Sequence, residues 1–383
     1  MKPHISFRAS LALLLLAGSA LAAPEQWLKY HLSQEGRAYR WVDLTNKAPV
    51  GVALPKLDGT AYFARWKTPM DPSGGRWMCF DRTRKAGPWN RIYFDSNGNG
   101  RLDDETPHVS KRTDTYSAYF EPVRVVFKGE DGPTTYHLLF RFMKYDENDV
   151  RLLTQSGGWY EGSVELAGKR REVKLIDNNV NGVFNDRSLT PDDADRIEIG
   201  NTESGSRYLG RLIEVDDQML EIEVAKDGAF IKTTPAKDLQ FGEVKVPEGI
   251  TSFAAVGEVG HFIRKPGKGA IKLPVGAYRL YEWSQDRKDD KGVEWGLAGS
   301  DFGEAANFTV AADKSAALKI GEPVRVSVDA AESRSEVRFS LKVQGALGET
   351  VDITRNGQRP VAPKLVIASA DGSYSKTNSF EYG

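Results

Sequence analysis

The sequence has 383 residues and a formal net charge of −1, with 52 Lys and Arg against 53 Asp and Glu. That balance argues against a nucleic-acid partner, which favours a basic face or stripe, and the length is too great for one ordinary core, so several modules are expected. Cys79 is the only cysteine, which excludes an internal disulfide and leaves packed cores and metal to supply stability.

In chain order, the first segment reads as an export signal. Lys2 and Arg8 supply positive charge, Ala9 to Ala17 is apolar, and Ala20-Leu21-Ala22 has the small-x-small pattern of a cleavage site. A signal peptide over 1–22, cut after Ala22, is expected, with a periplasmic or extracellular mature chain. The apolar run is shorter than the ~20 residues that span a bilayer, so no transmembrane anchor is expected. Loss of Lys2 and Arg8 makes the mature chain more acidic.

Five of the eight tryptophans, Trp27, Trp41, Trp66, Trp77 and Trp89, precede residue 95. Large indoles mostly fill cores, and these are expected to do so. Trp66 and Trp89 have charged or polar neighbours in Arg65, Lys67 and Asn90, which makes them the candidates for exposed indoles that stack on a glycan. Cys79 lies in the apolar run Arg76-Trp77-Met78-Cys79-Phe80 and reads as an inert buried thiol.

The dominant pattern is alternation with period two, the signature of half-buried strands. Val123, Val125 and Phe127 lead to a turn at Asp131-Gly132, followed by Tyr136, Leu138, Phe140 and Phe142. Val164 and Leu166 meet Val173 and Leu175 across Ala167-Gly168. Leu220, Ile222 and Val224 approach Lys226-Asp227-Gly228, and Val337, Phe339, Leu341 and Val343 alternate with polar residues. Helix is scarce; the candidate is a short one at Thr190-Pro191-Asp192-Asp193, with Thr190 as cap and Pro191 in the first position. The fold class expected is mainly β, in tandem small modules.

Two segments carry the strongest signal. Asp95-Ser96-Asn97-Gly98-Asn99-Gly100-Arg101-Leu102-Asp103-Asp104-Glu105 aligns without a gap on Asp177-Asn178-Asn179-Val180-Asn181-Gly182-Val183-Phe184-Asn185-Asp186. Asp, Asn, Asn and Gly match at loop positions one, three, five and six, an apolar residue fills position eight, and Asp fills position ten. An internal repeat is the economical reading. Calcium takes six to eight oxygens, and a sharply turning chain aims alternate side chains inward, with glycine at six permitting the turn. The expected calcium ligands are Asp95, Asn97, Asn99, Arg101 through its carbonyl, Asp103 and either Asp104 or Glu105; in the second loop they are Asp177, Asn179, Asn181, the Val183 carbonyl, Asn185 and Asp186. Fewer charges predict weaker binding at the second.

These loops resemble those of EF-hands and dockerins, and more closely the strand-flanked Asp-x-Asn-x-Asn-Gly-x-x-Asp loops of integrin-type propeller repeats. They depart from the EF-hand at position twelve, where Thr106 and Ser188 replace its glutamate. Leu273-Pro274-Val275-Gly276-Ala277-Tyr278-Arg279-Leu280 resembles a motif of transthyretin-like and carboxypeptidase-regulatory-like β-sandwiches, and the order of features is similar to that of uncharacterised exported bacterial β-proteins. The expected modules are 23–145 with the first loop, 146–241 with the second, a transthyretin- or Ig-like sandwich over 242–321, and a last β module over 322–383.

Catalytic motifs are weak. His31, His108, His137 and His261 stand apart, and no zinc motif, nucleophile elbow or phosphate-cradling glycine loop is present. The reading is an exported, calcium-stabilised structural or ligand-binding protein whose partner is an unknown envelope protein or glycan. The alternative is a secreted hydrolase acting on polysaccharide through a carboxylate pair.

Overall fold

Alternating apolar and polar residues become antiparallel sheet almost throughout the chain, because only one face of each strand needs to leave water. A computed structural model describes residues 24–57, 59–84, 87–129, 132–200, 205–267, 271–333 and 336–381. The expected signal segment, Asp131 and the last two residues lie outside them. No α-helix occurs among the described residues, and no helix there is long and apolar enough to cross a membrane. At the expected helix the chain makes only a 3-10 turn, Pro191–Asp193, and Thr190 precedes it without a side-chain cap bond.

Two sheets repeat one another. In the first, the strands run in the order Tyr62–Lys67, Gly75–Asp81, Arg91–Phe94 and His108–Val109; the second begins Lys29–Leu32, Gly158–Leu166, Lys169–Ile176 and Arg196–Ile199, then adds Ser206–Tyr208. In each, the third strand runs into one of the Asp-Asn-Asn-Gly loops and the fourth returns beside it, with Ile92 opposite His108 and Lys174 opposite Glu198. The hairpin at Ala167-Gly168 closes with both turn residues left-handed, φ 51° and 73°, the twist that suits a two-residue connection.

The modules expected at 23–145 and 146–241 do not divide at that boundary. Val150–Ser156 pairs with Gly132–Lys144 along seven residues, and Tyr39–Val42 adds to its other edge. A single apolar core runs from Leu28 to Ile231 and includes Trp66, Phe80, Phe94, Phe140, Val164, Leu175 and Phe184. A second core spans Leu212 to Val351. Its main sheet pairs Glu294–Ser300 with Thr350–Arg355, so the boundary expected at 321/322 also falls inside one sheet. In the Leu273 to Leu280 motif, Tyr278 is fully buried and its hydroxyl donates to the Pro274 carbonyl at 2.8 Å. The strand Val337–Gln344 forms as expected, but its apolar face is only half covered and Val337 is exposed.

The tryptophans divide differently from their sequence context. Trp66 is 2% exposed, stacked on Tyr136 with ring centroids 5.8 Å apart and planes 7° apart, and donates its indole N–H to the Val180 carbonyl at 2.6 Å. This corrects its assignment as a glycan-stacking residue: its charged neighbours Arg65 and Lys67 point to the opposite face of the strand. Trp89 is half-buried against Tyr62 and Phe142, with the Arg82 guanidinium 3.3 Å over its ring, so that face is not open to a sugar. Trp27 and Trp41, expected in the core, are 65% and 56% exposed. Cys79 is fully buried, and burial pushes its thiol up to about 12.

Candidate metal centre

The two loops share their main hydrogen bonds. Position one accepts the turning backbone: Asp95 Oδ1 takes the N–H groups of Gly98 at 2.8 Å and Asn99 at 3.0 Å, and its Oδ2 takes that of Gly100 at 3.0 Å. Asp177 does the same for Asn181 at 3.2 Å and Gly182 at 2.7 Å. At position five, Asn99 and Asn181 each accept the N–H of position seven at 2.8 Å and donate their amide to the acid at position ten, Asp104 at 2.7 Å and Asp186 at 2.6 Å. Positions four and six are left-handed in both, Gly98 and Gly100 at φ 74° and 76°, Val180 and Gly182 at 55° and 87°. A β-branched residue seldom adopts that conformation; the Trp66 N–H on the Val180 carbonyl holds it there. Position eight anchors each loop to its core through buried Leu102 and Phe184.

An acid beyond position ten closes each loop. In the first, Glu105 binds the position-two residue twice, from Ser96 N at 2.8 Å and Ser96 Oγ at 2.8 Å. In the second, position eleven is Arg187, which turns away to the Ile222 carbonyl, and Asp195 takes over. Its two oxygens accept the N–H groups of Asn178 at 3.1 Å and Asp186 at 2.8 Å. Asp195 was not among the residues expected at the site, because the inserted Pro191–Asp193 turn moves the acid out of the repeat's spacing. The mismatch of Arg187 with Glu105 is the sequence signal that points to a displaced acid.

The loops differ in what surrounds them. Below the first, buried Arg76 donates to the carbonyls of Asp95, Ser96 and Val126 and pairs with Asp71 at 3.0 Å. At position nine, Asp103 is drawn onto the Arg101 guanidinium at 2.7 Å, and Asn185 onto the Val224 carbonyl at 3.3 Å, so neither joins the acids and amides at positions one, five and ten. Asn97 stays exposed and accepts only the Asn99 N–H.

Asp177 and Asp195 are fully buried, and no Lys or Arg among the described residues pairs with them or with Asp186. Burial pushes the Asp177 carboxyl up to about 6, and burial with the adjacent Asp177 holds Asp195 well above the usual carboxylate range. The Tyr136 hydroxyl faces Asp177 without making a bond of good geometry, and Asn179 Oδ1 is buried with no donor. Asn179 and Asn181 both bring their amides to Asp186 Oδ2, at 2.8 and 2.6 Å. Rotating either amide by half a turn puts an oxygen where its nitrogen stands, so the same side chains present a carboxylate and two carbonyl oxygens to a cation.

Among the described residues, no three His, Cys, Asp or Glu side chains converge as a metal set on their own. The oxygens of these loops are mixed, carboxylate with amide, the donor set of a hard cation. Compared with protein-family models, with curated proteins and with solved structures, the chain gives no match.

Proposed function

We propose that the chain is an exported structural or ligand-binding protein whose second Asp-Asn-Asn-Gly loop takes calcium as a stabilising ion, the first loop being a weaker site. The observation that carries this reading is the pair of buried carboxylates, Asp177 and Asp195, with no cationic side chain against them among the described residues. Two buried carboxyls without a cationic partner are costly to ionise, and a divalent cation bound by Asp177, Asn179, Asn181 and Asp186 relieves that cost while satisfying Asn179 Oδ1. Asp195 touches the loop through its N–H groups and positions it. Side-chain charge alone favours the first loop, but there Asp103 is already neutralised by Arg101, and the carbonyls of Asp95 and Ser96 already receive Arg76.

Calcium suits the set better than magnesium, which demands a smaller octahedral shell and keeps its waters. Export follows from the charged, apolar and small-residue order of the first 22 residues. The test is calorimetric titration of chelator-stripped mature protein with calcium. One tight site lost in Asp177→Asn and kept in Asp95→Asn is the expected result; heat-free titration, or loss only in Asp95→Asn, overturns it.

A further inference from the structure

We infer that a groove beside the second loop binds a neutral oligosaccharide of pyranose rings, with Trp41 as its stacking platform. This deepens the ligand-binding half of the reading above and does not depend on calcium. The groove encloses about 570 Å³ and runs between the edge strand Tyr39–Val42, the strand Tyr62–Lys67 and loop residues 179–181.

Its chemistry is two-sided. Trp41 lines it while remaining 56% exposed, an unusual state for an indole, and half-buried Trp77 lines it too, with Arg65 lying 5.8 Å over its ring. Around these rings stand short polar groups that suit hydroxyls and lie outside the calcium loop: Asp43 and Thr45. A pyranose offers a C–H face to an indole and a rim of hydroxyls to a carboxylate and a side-chain hydroxyl, so one ring satisfies both kinds of wall. An apolar ligand would strand the polar rim without partners. The lining does not select a polyanion: Arg40 is tied to the carbonyls of Tyr39 and Asp192 and Arg65 to that of Ser73, and Lys67 shares the groove with Asp43 and Asp193.

The strand is held in place independently of any ligand. Trp41 and Val42 pair with Leu153 and Leu152, and Thr154 Oγ1 donates to the Arg40 carbonyl at 3.1 Å. The platform is therefore formed before a sugar arrives, which spares the cost of ordering it on binding.

The experiment uses the mature protein and three soluble hexasaccharides, of glucose, N-acetylglucosamine and mannose, followed by tryptophan fluorescence and calorimetry. At least one hexasaccharide should bind, and Trp41→Ala should weaken it roughly tenfold or more, as loss of one stacked ring implies. Because Trp41 is exposed, Trp41→Ala should keep the wild-type melting temperature and its calcium response, and Trp41→Phe should recover part of the affinity. Absence of binding to all three sugars, or binding by Trp41→Ala equal to wild type, overturns the inference. Asp177→Asn that loses its calcium response yet still binds sugar through Trp41 would support it while the calcium site remained a separate matter.

Discussion

The sharpest consequence of the buried acids is that calcium should matter more as pH rises. Asp177 has a folded value near 6 against an ordinary 3.8, so the metal-free fold holds a proton there that the unfolded chain releases. A raised carboxylate stabilises the fold below about pH 4, and that contribution is lost as pH climbs through 6. That contribution is missing from the chelated protein at neutral pH. Calcium at about 100 times its Kd returns roughly 2.7 kcal/mol. The cooperative unit is the core from Leu28 to Ile231, for which each kcal/mol moves the melting point by about 2–4 °C, giving a shift of about 5–11 °C. Melting should be followed in millimolar calcium and in excess chelator from pH 4.5 to 8. The two curves should separate above pH 6 and merge below 5. In Asp177→Asn the calcium shift should vanish, while the chelated variant should lose most of the wild type's fall in stability through pH 6. Identical curves in calcium and chelator at pH 7.5, or a wild-type shift in Asp177→Asn, would refute the reasoning.

Further outcomes follow from the same packing. Trp66→Ala should cost about 3–5 kcal/mol in denaturant unfolding, since it opens a cavity between Phe94, Phe127 and Tyr136 and frees the Val180 carbonyl, and the loss should exceed that of Trp41→Ala several-fold. Arg76→Leu should cost about 3–5 kcal/mol, because it strands the buried Asp71 carboxylate, two loop carbonyls and that of Val126; circular dichroism on chemical denaturation measures it. Burial pushes the His261 imidazole down to about 3, with the nearby Arg207 charge acting the same way. Its neutral form contributes stability above the unfolded value near 6.5, and that is lost as pH falls towards 3, by about 1.4 kcal/mol per unit. His261→Gln should therefore flatten acid unfolding between pH 6 and 4, read by tryptophan fluorescence.

The sequence by itself determined the strands, their hairpin turns and the two matching loops, because period-two alternation and Asn, Asp and Gly at fixed spacings are local facts that local physics reads directly. Leu102 and Phe184 at position eight and Cys79 in its apolar run went into cores as their neighbours implied. Tertiary structure alone decided which strands share a sheet. Tyr39–Val42 and Lys29–Leu32 lie far in sequence from the partners at Val150–Ser156 and Gly158–Leu166 that erase the expected 145/146 boundary. It also decided the fate of each indole: Trp66 stands between two charged residues and Trp41 between Arg40 and Val42, yet the first faces the core of its sheet and the second an open edge. Last, it supplied Asp195, an acid brought under the second loop by a turn of the chain, and removed Asp103 and Asn185 to other partners. Ligand sets of this kind depend on distances between residues distant in sequence, and those distances exist only once the sheets have paired.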